Sequence, residues 1–217
     1  THAAEAVTRG AIAVLWEPAP GVEPPSLPPE VEVLAVEGLG RRAGAMADRF
    51  FRQPSAEMQV VGFTGTNGKT TCAYLLSQAA DLLGRRGAYL GTLGFGRPGA
   101  LRDAGLTTPD CVSVHRRLAE ARDAGAKALG LEVSSHALDQ GRVDGVRFDT
   151  AVFTNLTRDH LDYHGTIENY AGIKERLVAA SGVAIVGTDD DYSASIASFL
   201  QAKGKNVPGL DGRKMSK

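Results

Sequence analysis

The run Val60-Val61-Gly62-Phe63-Thr64-Gly65-Thr66-Asn67-Gly68-Lys69-Thr70-Thr71 limits what this chain can fold into more than any other stretch. An apolar strand that passes through a glycine-rich loop straight into a helix builds one unit of a parallel sheet, because the helix must pack back across the strand it left. The glycines let backbone N–H groups wrap a polyphosphate. The helix N-terminus adds positive potential, and Lys69 can neutralise the outer phosphate oxygens. Thr70 offers a hydroxyl to magnesium. Phe63 stands where the commonest spacing, G-x-x-x-x-G-K-[ST], asks for glycine, with Gly62 and Gly65 close by. A tight glycine-rich turn without a ligand is the bland alternative, and the Gly-Lys-Thr-Thr core after a strand argues against it.

The rest of the chain has the texture that this unit demands. From Met58 onward, strands (Met58–Phe63, Gly87–Leu90, Leu101–Thr107, Ala126–Val133, Phe148–Thr154, Gly182–Val186) alternate with helices (Thr70–Leu83, Asp110–Asp123, Thr166–Ala180, Asp190–Ala202), with Asp110 as an N-cap. That is an α/β fold with a mostly parallel sheet covered by helices on both faces. Before it come a short helix, strands at Ala11–Leu15 and Val31–Val36, and a helix at Gly38–Arg52. Six prolines between Glu17 and Glu30 force an extended loop. We place a domain boundary at Gln53–Glu57, giving units 1–56 and 57–217. Both ends of the chain are expected to be cut, since it starts at Thr1 and closes on the polar run Leu210–Lys217.

Lys+Arg total 24 against Asp+Glu 25, a net charge of −1, so nothing in the charge calls for nucleic acid or an anionic membrane. No apolar run approaches the roughly 20 residues a membrane helix needs. Cys72 and Cys111 are too few for a disulfide framework. The expectation is a soluble, cytoplasmic protein.

A phosphate loop needs acids at the ends of neighbouring strands to hold magnesium through oxygen. Ala126–Leu131 delivers Glu132 to such an end, where open α/β sheets bind ligands; a solvated loop glutamate is the alternative. Past the strand Phe148–Phe153, Asp159, His160, Asp162 and His164 crowd together, and His160 is a candidate second metal ligand. His164 is given no role, and nothing has zinc spacing. Lys174 lies within the apolar face Tyr170, Ile173, Leu177 and Val178 of its helix. It either snorkels to solvent or is held near the site, where a neutral amine could react with CO₂ to give a metal-binding carbamate.

Gly65–Thr71 resembles the loop of the Mur ligase superfamily, which includes the muramyl-peptide ligases, folylpolyglutamate synthetases and cyanophycin synthetases. Thr107-Thr108-Pro109, Glu132-Val133-Ser134-Ser135-His136-Ala137-Leu138, Gln140 with Arg142, Val152–His164 and Tyr170–Lys174 extend the resemblance over nearly all of residues 58–190. Together they are most similar to the muramyl-tripeptide synthetases. These ligases add a third residue, meso-diaminopimelate or L-lysine, to UDP-N-acetylmuramoyl-L-alanyl-D-glutamate through an acyl phosphate during peptidoglycan precursor synthesis. The resemblance implies that Gly65, Thr66, Asn67, Gly68, Lys69, Thr70, Thr71 and Asn155 bind ATP. It implies that Thr70, Glu132, His160 and a carbamylated Lys174 bind Mg²⁺, with Lys69, Lys174 and His160 counted as catalytic. It implies that Thr107, Thr108, Ser134, Gln140 and Arg142 hold the muramyl dipeptide. It further implies a monomer acting on small molecules, with neither nucleic acid nor membrane as partner. Residues 1–56 then match the later part of a uridine-binding first domain, residues 57–217 an incomplete central domain, and a C-terminal amino-acid-binding domain is missing. Such a fragment would be inactive alone.

Two rivals stay open, and a third is set aside as coincidence. One is another ligase of the superfamily, a folylpolyglutamate or cyanophycin synthetase, and another is a non-catalytic ATP-binding protein. The third rests on Lys214-Met215-Ser216-Lys217, which matches an aminoacyl-tRNA synthetase tetrapeptide but lacks its His-x-Gly-His companion.

Overall fold

The computed structural model describes residues 2–188, 190–202 and 204. The Leu210–Lys217 run, with its Lys214–Lys217 tetrapeptide, lies outside the described residues. The chain forms two compact units, Thr1–Ala43 and Gly44–Lys217.

In the first unit, helix α1 (His2–Thr8) precedes two strands, β1 (Ala13–Trp16) and β2 (Glu32–Ala35), paired in parallel with Ala13 opposite Glu32. No helix or strand forms in the proline-rich segment 17–30. At its start the Glu17 carboxylate accepts from Gly38 N at 3.0 Å and from Gly40 N at 3.3 Å. An acid is thereby set at the start of helix α2 (Leu39–Phe50), where the helix dipole favours negative charge. The division at residues 43 and 44 falls within α2, upstream of the segment 53–57.

The second unit is built on a seven-stranded sheet in the order β6-β5-β4-β7-β3-β8-β9. Its parallel part comprises β3 (Gln59–Thr64), β4 (Gly87–Gly91), β7 (Ala128–Glu132), β8 (Thr150–Phe153) and β9 (Val183–Val186). β4 and β7 are buried at every position, as expected of strands covered on both faces. Helix α3 (Lys69–Leu82) packs on β4 and β7, and α7 (Ile167–Ala180) on β3 and β8. Val60, Leu90, Leu129, Leu131, Ala151 and Phe153 form the dry centre of the sheet. Helix α8 (Asp191–Ala202) follows β9. No helix among the described residues is long and apolar enough to cross a membrane.

Asp110 caps α4 (Cys111–Asp123) as expected, its side chain accepting from Ser113 N at 3.0 Å, and Thr166 caps α7 through Asn169 N at 3.2 Å. Asp110→Ala should lower stability by about 1 kcal/mol. The check is urea unfolding of the second unit: the midpoint drops at constant slope, and an unmoved midpoint would remove the cap's importance.

The sequence reading needs one correction at the sheet edge. Leu101–Thr107 is not a strand. Only β6 (Ala100–Arg102) is extended, pairing antiparallel with β5 (Gly94–Arg97), which in turn pairs antiparallel with β4. Asp103 ends the strand because its carboxylate turns back to accept from Gly105 N at 2.8 Å. β5 escaped notice because Gly94 and Gly96 dilute any strand signal. Helices α5 (Ser135–Asp139) and α6 (Leu161–His164) escaped because neither is long enough to show a period.

Candidate nucleotide and metal site

The carboxyl ends of β3, β4, β7 and β8 converge, and each delivers one part of the site. β3 runs into the loop Gly65–Gly68 and α3 begins at Lys69. The first-turn N–H groups of that helix lack partners within the helix and stand ready for an anion. Gly65 has φ +136°, and a Cβ there would collide with Thr154 Oγ1, so glycine is required by both backbone and space.

The exit of β8 clasps the loop. Asn155 O accepts from Thr66 N at 3.0 Å, while the Asn155 side chain accepts from Asn67 N at 3.0 Å and donates to Asn67 O at 3.2 Å. Thr154 Oγ1 donates to Asn67 O at 2.6 Å, and Thr66 Oγ1 accepts from Thr157 N at 3.0 Å. Asn155 is therefore in direct contact with the phosphate loop.

Lys69 Nζ donates to Gly65 O at 2.9 Å and to Thr66 O at 3.0 Å. Burial pushes its ammonium below the ordinary lysine range, against the pull of Glu132 and Asp159. Lys174 is only 1% exposed and Nζ donates to Gly65 O at 3.0 Å, with the Tyr170 ring 4.4 Å away. It does not snorkel. Burial first, and the Lys69 charge second, bring its ammonium down to about 7.

Glu132 ends β7 at 1% exposure with its carboxylate fully engaged. Oε1 accepts from Tyr89 OH and from Thr92 N at 2.9 Å. Oε2 accepts from Thr70 Oγ1 at 2.8 Å and Thr92 Oγ1 at 3.3 Å. A hydroxyl and one carboxylate oxygen beside a phosphate loop are hard donors of the kind magnesium takes, the remaining positions being filled by phosphate and water. His160 and Lys174 do not join them. His160 is exposed, with a left-handed backbone at φ +51°, and its ring lies against His136 at a centroid separation of 5.0 Å. Among the described residues no three His, Cys, Asp or Glu side chains converge as a metal cluster.

The residues expected to grip the substrate fall into two groups. Thr108 is 1% exposed and its hydroxyl is occupied, donating to Glu132 O at 2.8 Å and accepting from Ser134 N at 3.2 Å. Ser134 caps α5 through Ala137 N at 3.1 Å. Both brace the strand end. Thr107, by contrast, meets Thr92 through their hydroxyls at 3.0 Å. Arg142 is held by Gln140 Oε1 at 2.6 and 3.0 Å and by Thr108 O at 2.9 Å, so among the described residues a fixed guanidinium has only neutral partners. Gln140 and Arg142 line a cleft of about 530 Å³ with Leu106, Pro109, Ser113 and Arg116.

Several participants were missed. Tyr89 and Thr92 hold Glu132, and the only signal available was a tyrosine inside a fully buried strand, whose hydroxyl must find a partner. His164, which was assigned no role, is buried with its Nε2 2.9 Å from Ser135 Oγ, tying α6 to α5. Burial keeps its imidazole below the ordinary range.

Residues 63–212 match the family described as the Mur ligase middle domain. UDP-N-acetylmuramoyl-L-alanyl-D-glutamate--2,6-diaminopimelate ligase of Xanthomonas campestris pv. campestris is 50% identical over 200 residues, 91% of this chain and 40% of that protein. The Pseudomonas aeruginosa protein of the same name is 48% identical over 202 residues, 92% and 41%. A solved structure bearing that name superposes with a TM-score of 0.76 at 32% identity, covering 93% of this chain and 40% of the other. The chain thus spans about 40% of the length of these relatives. A glycine-rich cradle at the end of a central strand, a lysine and threonine opening its helix, a buried glutamate on the next strand, and a family match across 63–212 lead to one assignment: this chain belongs to the Mur ligases, and carries their middle domain.

Proposed function

We propose that this chain is the nucleotide-binding part of an ATP-dependent ligase. The ligase adds meso-diaminopimelate to UDP-N-acetylmuramoyl-L-alanyl-D-glutamate in cytoplasmic peptidoglycan precursor synthesis, acting as a monomer. The observation that carries this reading is the identity of about half the residues, over nine-tenths of the chain, to proteins of that name. Residues 1–56 are taken as part of a uridine-binding domain and 57–217 as the central domain.

In this reading Gly65 to Thr71 surround the ATP phosphates, with the N–H groups of Gly68 and the first turn of α3 donating to them while those of Thr66 and Asn67 stay with Asn155. Lys69 exchanges its bonds to Gly65 O and Thr66 O for phosphate oxygens. Thr70 and Glu132, with His160 and a carbamylated Lys174, would hold Mg²⁺, which would supply charge neutralisation at the transferring phosphoryl group. The D-glutamyl carboxylate attacks the γ-phosphoryl group of ATP, breaking its bond to the leaving ADP, and the amine of the third residue then adds to the carbonyl of the acyl phosphate, giving up a proton as phosphate departs. Arg142, already immobilised and without an acid partner, suits a carboxylate or pyrophosphate of the muramyl substrate, with Gln140, Thr107, Thr108 and Ser134 around it.

Phosphate release by the full-length protein should require ATP, Mg²⁺, the muramyl dipeptide and diaminopimelate together. Release with lysine in its place would change the substrate. ATP binding with no release under any combination would favour the non-catalytic alternative.

A further inference from the structure

We infer that Tyr89 is a positioning residue for the metal carboxylate, an inference that rests on the magnesium role given above to Glu132. Four facts converge on Glu132 Oε1. Tyr89 is fully buried on β4 and its hydroxyl donates to that oxygen. The same hydroxyl accepts from Leu93 N at 3.3 Å, which orients its proton toward the carboxylate. Thr92 N, on the turn leaving β4, donates to Oε1 as well. Gly91 supplies the space: a Cβ there would overlap both Glu132 Oε1 and Tyr89 OH. The ring itself is held edge-on by Tyr74, 5.5 Å away between centroids.

The arrangement divides the carboxylate into two halves. Oε1 is filled by donors from β4 and takes no further partner without losing one. Oε2 lies toward the phosphate loop and is held only by two hydroxyls, Thr70 Oγ1 at 2.8 Å and Thr92 Oγ1 at 3.3 Å, which can turn aside for a cation. Glu132 therefore presents one oxygen in one direction, and Tyr89 fixes which oxygen it is. A neighbour that orients a ligand in this way typically changes metal affinity about 10- to 100-fold when removed.

The test uses Mn²⁺ as the probe, titrated by electron paramagnetic resonance into the full-length protein saturated with a non-hydrolysable ATP analogue. Y89F, which deletes one oxygen and keeps the ring, should weaken Mn²⁺ binding about tenfold. Binding of the analogue measured in EDTA should stay unchanged. G91A, which pushes on the same oxygen with Tyr89 intact, should weaken Mn²⁺ in the same direction and serves if Y89F folds poorly. In an E132Q background, Y89F should have no further effect on Mn²⁺, whereas a merely structural tyrosine would show its cost there too. Unchanged or tighter Mn²⁺ binding in Y89F and G91A would overturn the inference, as would an undiminished Y89F effect on E132Q. None of these readouts needs diaminopimelate or the muramyl dipeptide, so failure of the ligase reading would leave them interpretable.

Discussion

Lys69→Ala should lower turnover of the full-length ligase on the order of 10²- to 10³-fold, the range seen when one pre-placed donor to a developing charge is removed. The reason is position. Lys69 opens α3, and its ammonium is already desolvated within the loop that would surround the phosphates. Its bonds to Gly65 O and Thr66 O are to neutral carbonyls, which a phosphate oxygen outcompetes as an anionic acceptor. The loss should fall mainly on kcat, because charge on the transferring group grows toward the transition state. Fold stability should change little, since the clasp from Thr154, Asn155 and Thr157 does not involve the lysine side chain. Near-normal kcat in this variant, with the protein folded, would sink the assignment of the loop.

Lys174→Ala should reduce activity about 10- to 100-fold, and short carboxylic acids such as acetate or formate should restore part of it. In the proposed reading this buried amine, which lies against Gly65 of the phosphate loop, carries a carbamate, and burial together with Lys69 disfavours its protonated form. Alanine vacates the volume of the lysine side chain. A small acid can enter it and supply the missing negative charge. A lysine acting only as a cation on Gly65 O gives the opposite pattern, rescue by small amines and none by acids. Carbon-13 NMR of the wild-type protein under labelled bicarbonate offers an independent check, with a carbamate signal expected and lost in the variant.

The parallel sheet and its order of elements were legible because buried strands and amphipathic helices carry strong patterns. Asp110 could be read as a cap from residue type and spacing alone. The loop at 65–71 and Glu132 were legible for a related reason: chemistry at strand ends leaves polar residues at the edge of apolar runs. What the sequence could not show was pairing across the sheet. Tyr89 and Glu132 are 43 residues apart and meet only because β4 lies beside β7. The distinction between Thr107 and Thr108 is of the same kind. Adjacent residues of identical type differ because Thr108 is drawn under Glu132 O while Thr107 reaches Thr92. His160, read as a ligand from its neighbours in sequence, also lies with its ring against His136, a contact across 24 residues that no local pattern announces.

The clasp between β8 and the phosphate loop has a consequence for how a nucleotide arrives. A loop fastened at Thr66 and Asn67 to residues 154–157 has already lost the conformational freedom that a loose loop would give up on binding. Capture of phosphate then resembles filling a rigid mould, quick because the backbone needs little reshaping. The same stitching ties the shape of the cradle to the exit of β8, so a substitution at Asn155 is felt at Thr66 and Asn67.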